Sequence, residues 1–412
     1  VTSHAEVMTS TAPIAGRPTR AVSGLPARAG RLSAAECRLD DLRALVERAT
    51  DLADYPFADD TERGVLVYDA ARLRSRITDE STRAEVQDEI ARALLDGPGI
   101  AVFRGAFTEE HALTDTTTYF TDTIARQHAD GVAGGDHFAK PGANDRVWSA
   151  LQKLAVDRPD LFVRYYANDV LALVSEAWLG PMYQVTSSIN VVNPGGAAQN
   201  PHRDYHLGFM STETAAAFRA HVHRLSPALT LQGAVAHCAM PIESGPTMYL
   251  PYSQQYEPGY IAFGLPEFRD FFAQHYVQLP LEAGDAVFFN PALFHAAGHN
   301  TTADVHRMAN LLQVSSAFGR AIDSVDRDAM VCSLYPELRA LADAGRDDDV
   351  RAVVAASAEG YAFPTNLDRD PPVDGMSPAT QAEVVRAALA ERAAPAELGR
   401  RLAEHEERRR TS

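Results

Sequence analysis

The spacing of apolar residues divides the chain into a helical first part, a strand-rich middle and a helical last part. From about 36 to 96 the period is helical, and Thr82 and Glu85 in STRAEVQDEIARALL have the spacing of a capping box. A short buried strand, IAVFRGAF, follows. After 320 the helical period returns, and Ser377 with Pro378 is predicted to begin the last helical pattern.

From residue 183 onwards the period changes to two, which indicates strands with one buried face. The predicted strands lie in YQVTSSINVV, LTLQGAVAHCAM, TMYLP, VQLPLEAGDAVFFN and HRMANLLQVSSAF, and Gly, Pro and Asn turns separate them. Strands at this density are typical of an antiparallel barrel or sandwich. We therefore expect a mainly β core with flanking helices from both ends.

These patterns predict four parts. Residues 1–35 are rich in Ala, Thr, Ser, Pro, Gly and Arg, show no apolar core of a secretion signal, and are predicted to be a disordered tail. Residues 36–96 form a helical N-terminal segment, 97–320 form the β core, and 321–412 form a helical C-terminal extension.

Composition narrows the function classes. The net charge is −17, which excludes the basic footprint of a nucleic-acid-binding protein. Cys37, Cys238 and Cys332 are far apart, so neither a disulfide framework nor a thiolate zinc site is predicted, and a reducing, cytoplasmic setting fits best. No stretch reaches the ~18 apolar residues that a membrane span needs, and we expect a soluble protein.

The segment NPHRDYHLGF raises the first chemical possibility. His202 and Asp204 are two residues apart, so on a strand or its end both side chains point to one side and can bind one metal ion. Such a pair alone is weak evidence, because short matches arise often by chance.

The metal-site hypothesis is strengthened by a second segment, LEAGDAVFFNPALFHAAGHNTTADVHRMANLL. His295 ends a predicted strand and Arg307 begins another. A distant histidine added to the first pair gives two histidines and one carboxylate, which leave three positions open on Fe(II). An arginine nearby can pair with a dicarboxylate co-substrate. His299 competes with His295, but it lies in a predicted turn.

Together these blocks resemble the phytanoyl-CoA dioxygenase family of Fe(II)/2-oxoglutarate oxygenases over roughly residues 97 to 316. The similar blocks are GIAVFRGAFTEE, INVVNPGGAAQNPHRD, AVAHCAMPIESGPTMYLPYSQ and LEAGDAVFFNPALFHAAGHN. The resemblance implies a double-stranded β-helix, a cupin-like jelly roll, as the core. It also implies that His202, Asp204 and His295 bind the iron, that Arg307 binds the C5 carboxylate of 2-oxoglutarate, and that O2 takes the remaining position. Asn190 is a weaker candidate for a co-substrate contact.

Two departures from the family pattern affect these expectations. Many members have a serine two residues after the distal histidine, where this chain has Ala297, and Arg203 replaces the glutamine or small polar residue that is common between the paired ligands. Asp204, in contrast, is the carboxylate that halogenating relatives lack. The resemblance therefore favours hydroxylation, desaturation or ring closure over halogenation.

Three functions remain open: a 2-oxoglutarate-dependent dioxygenase acting on a small molecule, an iron oxidase or epoxidase that needs no keto acid, and a non-catalytic β-barrel binding protein. The iron ligands and the arginine favour the first. The acidic charge and only two lysines give no visible site for the phosphates of an acyl-CoA, so we expect a metabolite or natural-product intermediate. Its pocket is predicted near Trp148, Tyr183, Lys140 and the loop 128–147.

Overall fold

The computed structural model describes residues 30–131, 142–204, 207–208, 210–372 and 375–411. The predicted disordered tail lies outside the described residues except for 30–35, and so does the part of the predicted binding loop from 132 to 141, which includes Lys140. Among the described residues, no helix has both the length and the apolar content needed to cross a membrane.

Within the described ranges, ten strands form two sheets. The strands are β1 (Asp60–Glu62), β2 (Val65–Asp69), β3 (Ile100–Arg104), β4 (Asn144–Val147), β5 (Gln184–Val192), β6 (Thr230–Ala236), β7 (Met248–Leu250), β8 (Ala286–Phe289), β9 (Phe294–Ala296) and β10 (Arg307–Ser315). The large sheet has the order β1-β2-β3-β8-β6-β10-β5-β4, and the small sheet pairs β7 with β9. Every pairing is antiparallel except that of β2 with β3. The predicted β core of cupin-like jelly-roll type is confirmed, although the described strands do not close into a barrel.

Helices cover the large sheet. They are α1 (Leu39–Val46), α2 (Ala70–Arg76), α3 (Glu80–Leu95), α4 (Leu113–Ala129), α5 (Ala150–Asp157), α6 (Pro159–Tyr166), α7 (Asp169–Leu179), α8 (Thr212–Ala216), α9 (Ala220–Leu225), α10 (Gly259–Ala262), α11 (Pro266–His275), α12 (Arg327–Asp343), α13 (Asp347–Ser357), α14 (Gln381–Ala390) and α15 (Pro395–Arg409). The main hydrophobic core joins the outer face of the sheet to helices from both ends of the chain. A second core lies between the inner face and the small sheet, where Tyr249 packs on Phe289.

A tight turn at Gly284 and Asp285 precedes β8. Gly284 has a φ of +92°, a conformation that L side chains rarely adopt, and a Cβ there would lie 2.0 Å from the carbonyl oxygen of Phe107. The carboxylate of Asp285 accepts hydrogen bonds from the backbone N–H groups of Gly105 and Glu282. This turn sets the direction of β8 and of the segment that leads to His295.

Several local predictions were wrong. The segment 36–96 is not purely helical, because β1 and β2 lie within it. Four consecutive residues of β2 are buried, so the strand has no period-two signal. Asp79, not Thr82, caps α3, and Thr380, not Ser377, caps α14 together with Glu383. In each case the side chain that accepts from the first helical turn lies a few residues from the predicted one.

Candidate metal centre and co-substrate pocket

The metal pair and the distal histidine come together through backbone pairing. His202 follows the loop after β5, and His295 lies in β9. Each backbone N–H donates to the carbonyl of the other, at 3.0 and 3.1 Å. The N–H of Asp204 donates to the carbonyl of Pro291, at 3.0 Å. Three ladder-like hydrogen bonds thus bring two distant parts of the chain together.

The side chains of these three residues form one cluster. Asp204 Oδ1 lies 3.8 Å from His202 Nε2, and Asp204 Oδ2 lies 3.5 Å from His295 Nε2. All three ligand atoms lie within 4.8 Å of one another, and among the described residues no other His, Cys, Asp and Glu side chains form such a group. One ion can be reached by all three.

Hydrogen bonds determine which atom each ligand presents. Nδ1 of His202 lies 3.0 Å from the carbonyl of Asn200, and Nδ1 of His295 lies 2.9 Å from that of Leu293. A carbonyl can only accept, so Nδ1 carries the proton and Nε2 keeps its lone pair for a metal. Asp204 Oδ1 is buried and has no hydrogen-bond partner among the residues that the structure describes. The cluster therefore has the donors that a metal ion requires.

The carboxylate of Asp204 is held in its ionised form. Burial opposes ionisation, but without a metal ion the hydrogen bond and charge of protonated His295, the charge of protonated His202 and the amide of Gln232 outweigh it and lower the pKa of Asp204 to about 2. Gln232 Nε2 in β6 donates to Asp204 Oδ2 at 2.6 Å. Sequence analysis missed Gln232, and only its place on the inner face of a predicted strand could have indicated it.

Arg307 lies in the same cavity as the metal cluster. The cavity measures about 850 Å³ and is lined by His202, Asp204, His295, Arg307 and Asn190, among others. Burial lowers the pKa of Arg307 to about 10, although Tyr249 and Cys238 act in the opposite direction. No carboxylate among the described residues lies within ion-pair distance of its guanidinium group. A buried cation of this kind suits an anionic ligand.

Other residues near the predicted co-substrate position also line this cavity. Asn190 lines the cavity, and its Oδ1 accepts from Asn144 Nδ2 at 3.3 Å. Ala297 lines it too, and the backbone N–H of Ala297 donates to Gln199 Oε1 at 3.2 Å. Thr247 also lines the cavity, as does Tyr249, which is close enough to Arg307 to raise the pKa of that guanidinium group. Thr247 and Tyr249 were not predicted.

Arg203 faces away from the cavity. Its guanidinium group lies 5.1 Å from the ring centres of both Tyr260 and Phe294, and Nη2 donates to the carbonyls of Ser253 and Tyr256. Arg203 therefore holds the segments around Ser253 and Tyr260 in place and does not contact the cavity.

Other predicted residues lie elsewhere. Nδ1 of His299 contacts the carbonyl of Gly196, and His299 is not part of the metal cluster. His237 is a buried histidine whose two ring nitrogens both have hydrogen-bond partners. Of the suggested pocket residues, Trp148 lines the cavity, but Tyr183 is buried in the main core. Tyr205 and His206, which directly follow the metal pair in the sequence, lie outside the described residues.

Comparison with known proteins agrees with this geometry. A family model described as phytanoyl-CoA dioxygenase (PhyH) matches residues 43–309, which is more than half of the chain. The chain belongs to the phytanoyl-CoA dioxygenase family. The match begins before the resembling blocks of the sequence, and so takes in most of the N-terminal segment. No curated protein matches the chain.

Solved structures show weaker likenesses. The chain is 19% identical to the non-heme alpha ketoglutarate dependent epimerase SnoN from nogalamycin biosynthesis, covering 58% of this chain and 82% of that one, with a TM-score of 0.37. It is 18% identical to the non-heme alpha ketoglutarate dependent carbocyclase SnoK, covering 57% and 86%, with a TM-score of 0.38. It is 16% identical to AviO1 from Streptomyces viridochromogenes Tue57, covering 56% and 95%, with a TM-score of 0.41.

Proposed function

We propose that this protein is an Fe(II)/2-oxoglutarate-dependent dioxygenase that oxidises a small molecule and releases succinate and CO2. The observation that carries the proposal is one cavity containing both a three-ligand metal cluster and a buried arginine without an ion-pair partner among the described residues. Membership of the family supports it.

The donor set fits iron. Two neutral imidazoles and one carboxylate occupy one face of an ion and leave three positions for other ligands. His202, Asp204 and His295 would hold the iron, and Gln232 would keep the carboxylate in place. When bound, iron with 2-oxoglutarate and O2 supplies the oxidising power to remove a hydrogen atom from a substrate.

Residues around the metal cluster would bind and orient 2-oxoglutarate and shield the cluster from water. Arg307 would pair with the C5 carboxylate of 2-oxoglutarate, with Thr247 and Tyr249 beside it in place of the serine that is absent at 297. Phe289 packs against the ring of His295, with ring centres 4.9 Å apart, and keeps water from that side of the cluster. Asn190 is a further candidate contact.

The test is anaerobic addition of Fe(II) and 2-oxoglutarate to the purified protein, followed by the weak visible absorption band of the keto-acid chelate. We expect the band in the wild type and in His299→Ala, its loss in His295→Ala, and a several-fold weaker 2-oxoglutarate affinity in Arg307→Gln. His299→Ala is the matched control because His299 is four residues from His295 but is not part of the metal cluster.

The alternatives predict other results. Iron binding without the band would favour a keto-acid-independent oxidase or epoxidase. Absence of iron binding would favour a non-catalytic binding protein. Arg307 weighs against the former, and the complete ligand set weighs against the latter.

A further inference from the structure

The inner face of β10 has two chemically different ends. Arg307 and Gln313 both point into the cavity, since alternate residues of a strand share a face. They are six positions apart, or about 20 Å along the strand at the usual rise. With 2-oxoglutarate on Arg307, the Gln313 end remains for the substrate.

Apolar side chains form the rim at this end. Trp148 and Ile322 line the cavity although they are 37% and 45% exposed, and Phe318 in the same segment as Ile322 is 68% exposed. The guanidinium group of Arg146 lies 4.1 Å from the centre of the Trp148 ring and restricts the indole. Exposed apolar residues around a cavity mouth are typical of a ligand-binding site.

Gln313 is the polar group of this end. It is the cross-strand neighbour of Gln232, which contacts the carboxylate of Asp204. The side-chain amide of Gln313 is half-buried and makes no hydrogen bond to any described residue, and Gln232 Oε1 is buried without a partner. An amide offers one donor and one acceptor group, which a hydroxyl group can satisfy together.

At the Gln313 end of the cavity, the positive charge of Arg146 lies close to the carboxyl group of Asp323. Arg146 donates to Ser188 Oγ at 3.1 Å and lies close enough to Asp323 to lower the pKa of that carboxyl, which burial raises. The described lining contains no lysine, and its one carboxylate belongs to Asp204 in the metal cluster. Several phosphates would need more cations than this.

Building on the proposed function, we propose that the substrate is a neutral, planar ring compound with a hydroxyl group. Its ring would pack against Trp148 and Ile322, and its hydroxyl group would bind Gln313 near the metal cluster. Gln313 is then a specificity-determining residue.

The test is calorimetric titration of the full-length protein, without added 2-oxoglutarate, with four probes of similar shape: 2-naphthol, 2-methylnaphthalene, 2-naphthoate and 2-naphthylmethylammonium. We expect 2-naphthol to bind most tightly. Gln313→Leu should weaken 2-naphthol about three- to tenfold, the equivalent of one neutral hydrogen bond, and leave 2-methylnaphthalene unchanged. Trp148→Ala should weaken both at least about threefold.

Met182→Ala is the control, because Met182 is 45% exposed like Ile322 but lies outside the cavity lining; Ile322→Ala should weaken binding and Met182→Ala should not. Tighter binding of either charged probe, no binding at all, or an unchanged 2-naphthol affinity in Gln313→Leu would overturn the proposal. Since the titration needs no keto acid, a missing chelate band with intact 2-naphthol binding would reject only the dioxygenase.

Discussion

Single hydrogen bonds prepare the ligands of the metal cluster. The carbonyls of Asn200 and Leu293 select the tautomers of His202 and His295, and Gln232 fixes the carboxylate of Asp204. The ligands could be predicted because two histidines and one carboxylate, with a His-x-Asp pair among them, are a known donor set for Fe(II). The role of Gln232 could not be predicted, because it depends on a contact with Asp204 across the fold.

Replacing Gln232 by leucine should reduce iron affinity by about 10- to 100-fold, since the carboxylate loses the partner that orients it. Competition with a chelator of known affinity measures this. Gln313→Leu, one strand away and without contact to Asp204, is the matched control and should bind iron as the wild type does. Equal affinities in both variants would show that Gln232 does not support the ligand.

Elements meet around His237, which joins the end of β6 to two helices. Its Nδ1 lies 2.8 Å from Thr117 Oγ1 in α4, and its Nε2 lies 2.9 Å from the hydroxyl of Tyr165 in α6. The apolar strand residues before His237 in LTLQGAVAHCAM are a local signal that favours a buried histidine here. The two partners come from helices that local periodicity could not place against this strand.

Stability should therefore depend on pH through His237. Burial lowers its pKa to about 4, whereas the unfolded chain protonates it near 6.5. The unfolded state binds the extra proton between these values, so the free energy of unfolding falls as pH drops below about 6.5. At pH 5 the loss is about 2 kcal/mol. Urea unfolding of the wild type and of His237→Gln at pH 7 and pH 5 measures this loss, which we expect to be absent in His237→Gln. An identical pH dependence of the free energy of unfolding in the two proteins would contradict the prediction.

The N-terminus of α14 gives a second element-scale prediction. Thr380 Oγ1 accepts from the N–H of Glu383, and the Glu383 carboxylate accepts from the N–H of Thr380. Thr380→Ala should lower the free energy of unfolding by about 1 kcal/mol, as loss of a cap does. Ser377→Ala should change it little, because Ser377 lies before the cap. Denaturant unfolding of both variants measures these changes. A larger decrease in the free energy of unfolding in Ser377→Ala than in Thr380→Ala would show that Ser377 is the cap.

At the scale of the whole molecule, the C-terminal helices and the large sheet share one core. Leu334 and Tyr335 of α12 belong to the same buried cluster as Val185 and Ile189 of β5. The guanidinium group of Arg327 donates to the carbonyl of Val185 at 3.2 Å. The family match ends at residue 309 within β10, yet the core of the protein continues beyond it.

A chain shortened to residues 1–320 should not fold to the native state, because the outer face of β5 would lose its cover. Circular dichroism and calorimetry should show no cooperative transition, and the chelate band should be absent. The full chain should unfold in a single transition. A shortened chain with native thermal stability would instead make 321–412 an independent domain.

The sequence by itself determined the strand-rich middle, the ligand types and their order along the chain, because alternation, turn residues and the His-x-Asp spacing are local signals. Only the tertiary structure decided that Gln232, Thr247 and Tyr249 surround the site, and that β2 and β4 extend the sheet. Those features depend on which distant backbones pair and which faces pack. Local patterns of polarity do not encode such choices residue by residue.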